Sequence, residues 1–547
     1  MRHKPSRDKA PTTVKESTGK PRRKDAQSLD VGPSHVSSGD LWLILGLMVL
    51  TLALRATAIP SILPTSDAGA YAIGVDRFDP LHNHPQPPGY HSYLLLVRGA
   101  RTLLAGRTDL ALYWLSILFT ALGAAALYLV GLEWYGRLAG FAAGLLWATS
   151  PAVWHTSMMA QSHAAEVALT TLTLWAGWRA RARGGGWTVF SAVLASLAMM
   201  IRPQAALTVV PVWLVATWGL GAGSRLVGLL VMGLLTASSE LGAAAACGSW
   251  GAYRHAVSVQ WQEAIWPSTL MAATAQGPGA LLEAIQGHLA ELSTLIFGGA
   301  SHVSVLGWLP LFVYGCGQVF RPSNLLRDSR THLLLVWLVP IALFHFVVHV
   351  NNANHVLVYY PFVLLVAAAG LRQFCTEWED SGVRVLGYGT CATILLGLAV
   401  VISLGVTLKA SVPGFKSETA ALERQIQTMR TFDARRTLFV QSDLRQQFNL
   451  LEYSLPDHQL LLLEQTLTEP RPSIAPTSPK TLPEAITEVV FLNPQARVVG
   501  PARPQRWGSQ GETFLVVQVA EAGRVMSFDS RGVRFSNSTT GQQTTSH

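Results

Sequence analysis

The sequence predicts an all-α, polytopic membrane bundle of about eleven transmembrane helices, followed by a small soluble α/β domain. Of its 547 residues, 50% are hydrophobic and only 13% are charged, whereas a typical soluble protein has about 25% charged residues. The mean hydropathy is +0.30. Apolar runs near the ~20 residues that a spanning helix needs recur along most of the chain, and a water-soluble composition begins at position 411.

The N-terminal segment 1–40 is polar and basic. It cannot bury enough apolar surface to fold, so we expect a disordered tail. The apolar run 41–63 that follows reaches spanning length, which favours a retained anchor over a cleaved signal peptide. The net charge of +9 lies largely in this tail and in short loops. It therefore serves as a topology signal and does not indicate nucleic-acid binding.

Further apolar runs of near-spanning length define the transmembrane domain 41–410. They lie at 109–131, 138–155, 162–179, 187–201, 204–220, 226–247, 303–320, 332–349, 355–371 and 385–408. Arginine clusters flank one set of ends, and the positive-inside rule places those ends and the N-terminus in the cytoplasm. The first loop 64–108, the loop 248–302 and the C-terminal domain are then expected outside the cytoplasmic (inner) membrane.

Short apolar strands and one helix predict an α/β fold for 411–536. The strands are expected at 437–441, 459–464, 488–492 and 513–520, and the helix at 443–454. No nucleotide-binding glycine fingerprint occurs there, so no chemistry is assigned to this domain. The polar tail 537–547 is expected to be disordered. The four cysteines are scattered without a CxxC pair, which predicts neither a disulfide framework nor a zinc site.

The first outer loop contains an ionisable segment at 65–93. Asp67 comes directly after the first span, where water meets lipid, and a carboxylate there can deprotonate an attacking hydroxyl. The alternative role is an N-cap for the following helix. His82, His84 and His91 match no closed zinc pattern. We therefore expect no metal ligands among them, with a divalent cation as the open alternative.

Three further polar features lie at the predicted outer face. Glu166 lies near the start of a predicted span, where charged groups are energetically costly and usually functional. The alternative is a carboxylate exposed to water at the interface. Arg202 precedes Pro203 at a helix break, where a guanidinium can hold a lipid phosphate or extend to the headgroups. A late hairpin carries histidines, asparagines and tyrosines that suit a phosphate or sugar hydroxyls, with an interfacial aromatic belt as the alternative.

Five segments follow one another in a characteristic order: SDAGAY at 66–71, QPPGY at 86–90, QSHAAE at 161–166, IRPQ at 201–204 and HVNNANHVLVYYP at 349–361. This ordered set resembles the GT-C superfamily of integral-membrane glycosyltransferases. In particular it is similar to bacterial dolichyl-phosphate-mannose–protein mannosyltransferase-like enzymes, which use polyprenyl-phosphate sugars. The resemblance covers 41–410. It departs from the family at Ala68, where many members carry a second acidic residue.

The resemblance implies transfer of a hexosyl or pentosyl unit, with inversion, from a polyprenyl-phosphate donor to a lipid, glycan or protein acceptor. Membrane lipids are the other partners, and no cofactor is expected. The implied residues fall into three groups: catalytic Asp67 with Glu166 or Asp76; donor-binding Arg202, His349, Asn354, His355 and Tyr359; and substrate-binding Tyr71, His84, Tyr90 and His163.

Two other classes of polytopic protein are the alternatives to a glycosyltransferase. A transporter or flippase would show inverted repeats and polar groups near the membrane midplane, and the sequence shows neither. An O-antigen polymerase or ligase would place its key arginine and histidine in a late outer loop and would not need Asp67. The enzyme interpretation requires Asp67, Glu166 and Arg202 to line one outer cavity.

Overall fold

The computed structural model describes most of the chain. The described ranges are 36–293, 302–348, 353–380, 387–442, 445–463, 480–482, 484–492, 498–499, 505–507, 514–519, 525–529 and 532–536. Most of the predicted tail 1–40, the whole tail 537–547 and His349 lie outside the described residues.

The described part of the chain is mainly helical. Its α-helices are α1 (Ser38–Ala56), α2 (Ser66–Asp76), α3 (His91–Leu103), α4 (Thr108–Tyr135), α5 (Arg137–Thr149), α6 (Pro151–Met158), α7 (His163–Arg183), α8 (Gly186–Ile201), α9 (Ala206–Ala216), α10 (Ala222–Ala246), α11 (Trp250–Gln260), α12 (Leu270–Gln276), α13 (Pro278–Ser293), α14 (Leu309–Val319), α15 (Pro322–Arg327), α16 (Ser329–Val347), α17 (Tyr360–Asp380), α18 (Tyr388–Val406), α19 (Val412–Met429) and α20 (Arg445–Ser454).

Six helical segments among the described residues are long and apolar enough to cross a membrane. They are α1, α4, α10, α16, the segment Leu357–Asp380 that contains α17, and the segment Tyr388–Met429 that contains α18 and α19. The chain is therefore a multi-pass membrane protein. The count of eleven spans stays a prediction, since several apolar runs are divided. The run 138–155 breaks before Pro151 and the stretch 187–220 breaks before Pro203, because proline lacks the N–H that continues a helix.

Helix α4 lies at the centre of the bundle, packed against α1, α5 and α7. Small residues let neighbouring backbones approach closely. Helices in a membrane associate through such close packing, because lipid is as apolar as their side chains and no hydrophobic effect drives them together. A Cβ on Gly131 of α4 would lie only 2.6 Å from the Cα of Gly140 in α5. Close backbone packing at a glycine also joins α14 to α17, where a Cβ on Gly315 would overlap the carbonyl oxygen of Val366.

Helix α18 continues through a π-helical turn, Thr407–Ser411, into α19, so the predicted domain boundary at 411 falls inside one continuous helix. The strands beyond it are β1 (Thr437–Ser442), β2 (Gln459–Leu463), β3 (Lys480–Thr481), β4 (Glu488–Phe491), β5 (Val498–Val499), β6 (Gln505–Trp507), β7 (Phe514–Gln518), β8 (Val525–Asp529) and β9 (Gly532–Ser536).

These strands form two sheets, ordered β2-β1-β4-β7-β6 and β3-β8-β9-β5. In the first sheet, β1 pairs in parallel with β2 and β4, while β7 is antiparallel to β4 and β6. Its strands β1, β2, β4 and β7 match the strands that the sequence predicts. The second sheet was not predicted, because two of its strands have only two residues and show no alternating pattern.

The contact between α14 and α17 yields a stability prediction. Gly315→Ala inserts a methyl group against the carbonyl of Val366, so we expect the free energy of unfolding to fall by about 1–3 kcal/mol. Gly317→Ala is the matched control on the same helix, because nothing lies within 4 Å of its Cβ position. Thermal unfolding in detergent measures both variants. Equal midpoints for the two variants would contradict the proposed backbone contact.

Candidate active site

Asp67 is the second residue of α2, and it does not cap that helix. Thr65 is the N-cap residue, and its Oγ1 accepts a hydrogen bond from the amide of Ala68 at 3.2 Å. The Asp67 carboxylate is instead held by two amide side chains. Gln161 Nε2 donates to Asp67 Oδ2 at 3.3 Å, and Gln86 makes a second side-chain hydrogen bond to it.

The surroundings of Asp67 favour proton uptake. Desolvation by the packed loop raises the pKa of Asp67, while the bond from Gln86, the charge of Arg202 and the bond from Gln161 lower it by smaller amounts. The pKa of Asp67 therefore lies above its ordinary value. A carboxylate with a raised pKa is a stronger base than an exposed one, provided that the pH is high enough to ionise it.

Arg202, which separates α8 from α9, is the centre of the site. Only 3% of its surface is exposed, and its Nε lies 2.9 Å from Glu166 Oε2. Nη1 makes two longer contacts, at 3.2 Å to Ser162 Oγ and at 3.4 Å to His163 Nε2. The guanidinium also lies over the Tyr90 ring, 5.2 Å from its centroid. A buried guanidinium is stable only with such partners.

Three tyrosines form one wall of the site and join elements that are distant in sequence. The Tyr71 ring packs against those of Tyr90 and Tyr93, with centroids 5.4 and 5.5 Å apart. The Tyr71 hydroxyl lies 3.2 Å from Ser162 Oγ, and the Tyr93 hydroxyl donates to the carbonyl of Gln161 at 3.3 Å. These contacts fix α2 and α3 against the start of α7.

A column of imidazole rings connects Arg202 with the late hairpin. The rings of His163 and His355 are 5.3 Å apart, and His355 stacks on His345 at 5.3 Å with 10° between the planes. His345 Nδ1 then lies 2.7 Å from the Tyr359 hydroxyl. Of the predicted residues, His163 contacts Arg202 directly, and His355 and Tyr359 follow it along the column. Asn354 lies in the 3₁₀ turn Ala353–Tyr359.

Two predicted site residues lie elsewhere. Asp76 is at the other end of α2, about 13 Å along the helix from Asp67, and both of its carboxylate oxygens lie 2.8 Å from Arg101 Nη1. His84 is buried, and its Nε2 lies 2.9 Å from Glu452 Oε2 in the C-terminal domain. Asp76 is therefore corrected to an exposed ion pair, because its helix position carries it away. The structure places His84 at the contact with the C-terminal domain.

Several residues of the site were not predicted. Gln86, Gln161 and Gln204 lie inside the motifs that the sequence singles out, but an uncharged amide gives no strong signal by itself. Gln204, with its amide oxygen turned toward the guanidinium, accepts from Arg202 Nη2. His345 lies inside the predicted span 332–349, where an ionisable residue in an apolar run is itself the signal of a functional position.

The described residues contain no group of three or more histidine, cysteine, aspartate or glutamate side chains placed to hold a metal ion. Arg202 is the positive charge that acts on Asp67 among the interactions described for it. The site places a buried guanidinium and an imidazole next to a carboxylate.

Residues 91–238 match the family described as dolichyl-phosphate-mannose-protein mannosyltransferase. The matched segment runs from α3 into α10. It includes Glu166 and Arg202 but not Asp67. No curated protein matches the sequence significantly.

Solved structures are similar in fold. The chain superposes on the apo crystal structure of ArnT from Cupriavidus metallidurans with a TM-score of 0.53 and 14% identity, covering 88% of this chain and 98% of that one. The archaeal oligosaccharyltransferase AglB from Archaeoglobus fulgidus, in complex with an inhibitory peptide and a dolichol-phosphate, gives a TM-score of 0.45 and 11% identity over 82% of this chain and 69% of that one.

The ion pair at the centre of the site yields a second prediction. Arg202→Gln leaves the buried carboxylate of Glu166 without its guanidinium, so we expect a loss of about 3–5 kcal/mol of stability. Adding Glu166→Gln to Arg202→Gln removes the unpaired charge and should restore part of the loss. Thermal unfolding of both variants in detergent measures the difference. A double variant no more stable than Arg202→Gln would contradict the pairing.

Proposed function

We propose that this chain is an integral-membrane glycosyltransferase of the GT-C type, and that it transfers a sugar from a polyprenyl-phosphate donor to a lipid, glycan or protein acceptor. The observation that carries the proposal is the shared neighbourhood of Asp67, Glu166 and Arg202. Gln161 contacts Asp67, the adjacent Ser162 contacts Arg202, and Arg202 contacts Glu166. A proton acceptor and an anion-binding cation thus lie together, as sugar transfer from a phosphate requires.

In the proposed reaction Asp67 is the base. It takes the proton from an acceptor hydroxyl as the hydroxyl oxygen attacks the anomeric carbon. The bond from that carbon to the phosphate oxygen breaks, and its electron pair leaves with the lipid phosphate. Because the attack and the departure occur on opposite faces of the sugar, the configuration inverts. The two amide side chains on Asp67 hold its carboxylate in place for this step.

Arg202 is proposed to bind the leaving phosphate together with the imidazole column. Its Nε is committed to Glu166, but Nη1 makes only the two longer contacts, to Ser162 and His163. A phosphate oxygen can therefore replace those contacts with a shorter, charge-assisted one. His163 contacts Nη1 directly and would hold a further oxygen, while His355 and Tyr359 continue the column away from the guanidinium. Arg202 would offer its positive charge to the leaving phosphate, and we propose that no resident metal is needed, with a divalent cation as the alternative.

Glu166 is proposed as the second carboxylate of the site, in place of the adjacent acid that Ala68 replaces. Its oxygen on Arg202 Nε fixes the plane of the guanidinium, which orients the nitrogen that faces the donor. We also propose an orientation in which the N-terminus is cytoplasmic and the site, with the C-terminal domain, lies outside the inner membrane. The positive-inside pattern of the loops supports this orientation.

The proposed base is tested by paired substitutions on α2. Asp67→Asn keeps the shape of the side chain but cannot accept the proton, so we expect transfer to fall by a factor of about 10²–10⁴. Asp76→Asn is the control, because Asp76 forms an exposed pair with Arg101, and it should transfer at nearly the wild-type rate. Transfer of labelled sugar from a polyprenyl-phosphate donor in membranes measures both. Near wild-type transfer by Asp67→Asn would rule out the assignment.

The raised pKa of Asp67 predicts the pH dependence. Asp67 works only when it is ionised, so kcat/KM should fall as the pH decreases through its raised pKa. That acidic limb should lie above the pKa of about 3.9 of an exposed aspartate. Gln86→Leu removes a hydrogen bond that lowers the pKa, and the limb should move to higher pH. The other titratable groups that interact electrostatically with Asp67 are Arg202, Tyr71 and Tyr90.

The control for the pH profile is Gln373→Leu. Gln373 lies on α17, where its amide donates to exposed Glu377 at 2.8 Å. It should keep the wild-type profile. A Gln86→Leu enzyme whose acidic limb stays in place, or moves to lower pH, would overturn the assigned source of the limb.

A further inference from the structure

Helix α20 of the C-terminal domain packs backbone to backbone against α2, the helix that carries Asp67. The closest approach is at Gly69, two residues beyond Asp67. A Cβ on Gly69 would lie 2.6 Å from both the Cα and the amide nitrogen of Leu450. No real side chain tolerates that distance, so the two helices can remain in this contact only because position 69 is glycine.

The contact is part of the membrane bundle's own core. Leu450 is fully buried, and it belongs to the same apolar cluster as Ala68 and Tyr71 of α2. The backbone amide of the neighbouring Asn449 donates to Ser66 Oγ at 3.2 Å. Ser66 and Gly69 flank Asp67 in the sequence, so α20 holds the backbone on both sides of the carboxylate.

A polar clamp holds the other end of α2. Oε1 of Glu452 in α20 lies 2.5 Å from Nη2 of Arg77. Arg77 directly follows the last residue of α2. The second carboxylate oxygen of Glu452 lies 2.9 Å from Nε2 of buried His84, and Arg77 Nη2 lies 3.1 Å from His84 Nδ1. Helix α20 therefore follows the whole length of α2, with an apolar contact near Asp67 and a charged contact at the far end.

An isolated helix of 11 residues has little stability of its own, so the position of α2 depends on what packs against it. A displacement of about 1 Å at a catalytic group can cost a hundredfold in rate. We propose that α20 is a positioning element for Asp67, and that the C-terminal domain thereby sets the distance between this base and the Arg202 centre. The proposal rests on the proposed function, in which Asp67 is the base, and its positioning residues are Gly69 and Glu452.

The test compares two helical glycines in the full-length protein. Gly69→Val forces α2 and α20 apart, and we expect kcat to fall at least tenfold with a donor KM within about twofold of wild type. Its acidic limb should move to lower pH, because Asp67 becomes more accessible to water and burial is the largest cause of its raised pKa. Gly99→Val on α3 is the matched control, since nothing lies within 4 Å of its Cβ position, and it should keep wild-type values.

Hydrogen–deuterium exchange gives a second readout that does not depend on activity. Gly69→Val should speed amide exchange in the peptides that contain α2 and α20, and Gly99→Val should not. Unchanged exchange in Gly69→Val, or wild-type kcat and pH profile, would overturn the positioning role. A wild-type protein without transfer activity would instead contradict the proposed function. The exchange data would still show whether α20 holds α2 in place.

Glu452→Gln keeps the proposal testable if Gly69→Val does not fold. It retains the size of the side chain but removes the charge that contacts Arg77 and His84. We expect kcat to fall about three- to tenfold, with the same direction of shift in the acidic limb. Glu418→Gln, at an exposed position of α19, is the control and should behave as wild type. Equal values for the two glutamate variants would remove the clamp from the proposal.

Discussion

The buried ion pair between Arg202 and Glu166 is the constraint on which the candidate site depends. A guanidinium with 3% exposure must satisfy its donors inside the protein. Arg202 does so with groups from the start of α7, from Gln204 just beyond the helix break, and with the ring of Tyr90. The requirement fixes how α7 and α9 meet, and it draws the first outer loop against both of them.

Close backbone packing and polar bonding both join the helices of the molecule. Inside the bundle, helices meet through small residues such as Gly131 and Gly315, whose missing side chains let backbones touch. At the outer face, the links are hydrogen bonds and ring contacts between residues far apart in sequence, such as Gln161 with Asp67 and His163 with His355. The first kind of contact sets the fold, and the second sets the relative positions of the reactive groups.

Composition and periodicity predicted the helical bundle and the main strands after position 437, because both signals are local. The motif order also pointed to Asp67, Glu166 and Arg202, which the structure brings together. The positions of Asp76 and His84 were not predictable. Each residue along a helix rotates the next side chain by about 100°, so the face that Asp76 occupies depends on where α2 begins. The partner of His84 is Glu452, which lies 368 residues further along the chain. The supporting amides of Gln86 and Gln161 were likewise missed, since pairing across such separations leaves no trace in a single sequence.

The uninterrupted helix Tyr388–Met429 has a mechanical consequence. Its 42 residues extend for about 60 Å, roughly twice the thickness of the hydrocarbon layer. One end is therefore anchored in lipid, and the other carries the domain that contributes α20. A helix of this kind adjusts to a thicker or thinner bilayer by tilting. For the same change of angle, the end outside the bilayer moves further than the embedded end. A change in bilayer thickness would therefore reach the C-terminal domain through this helix.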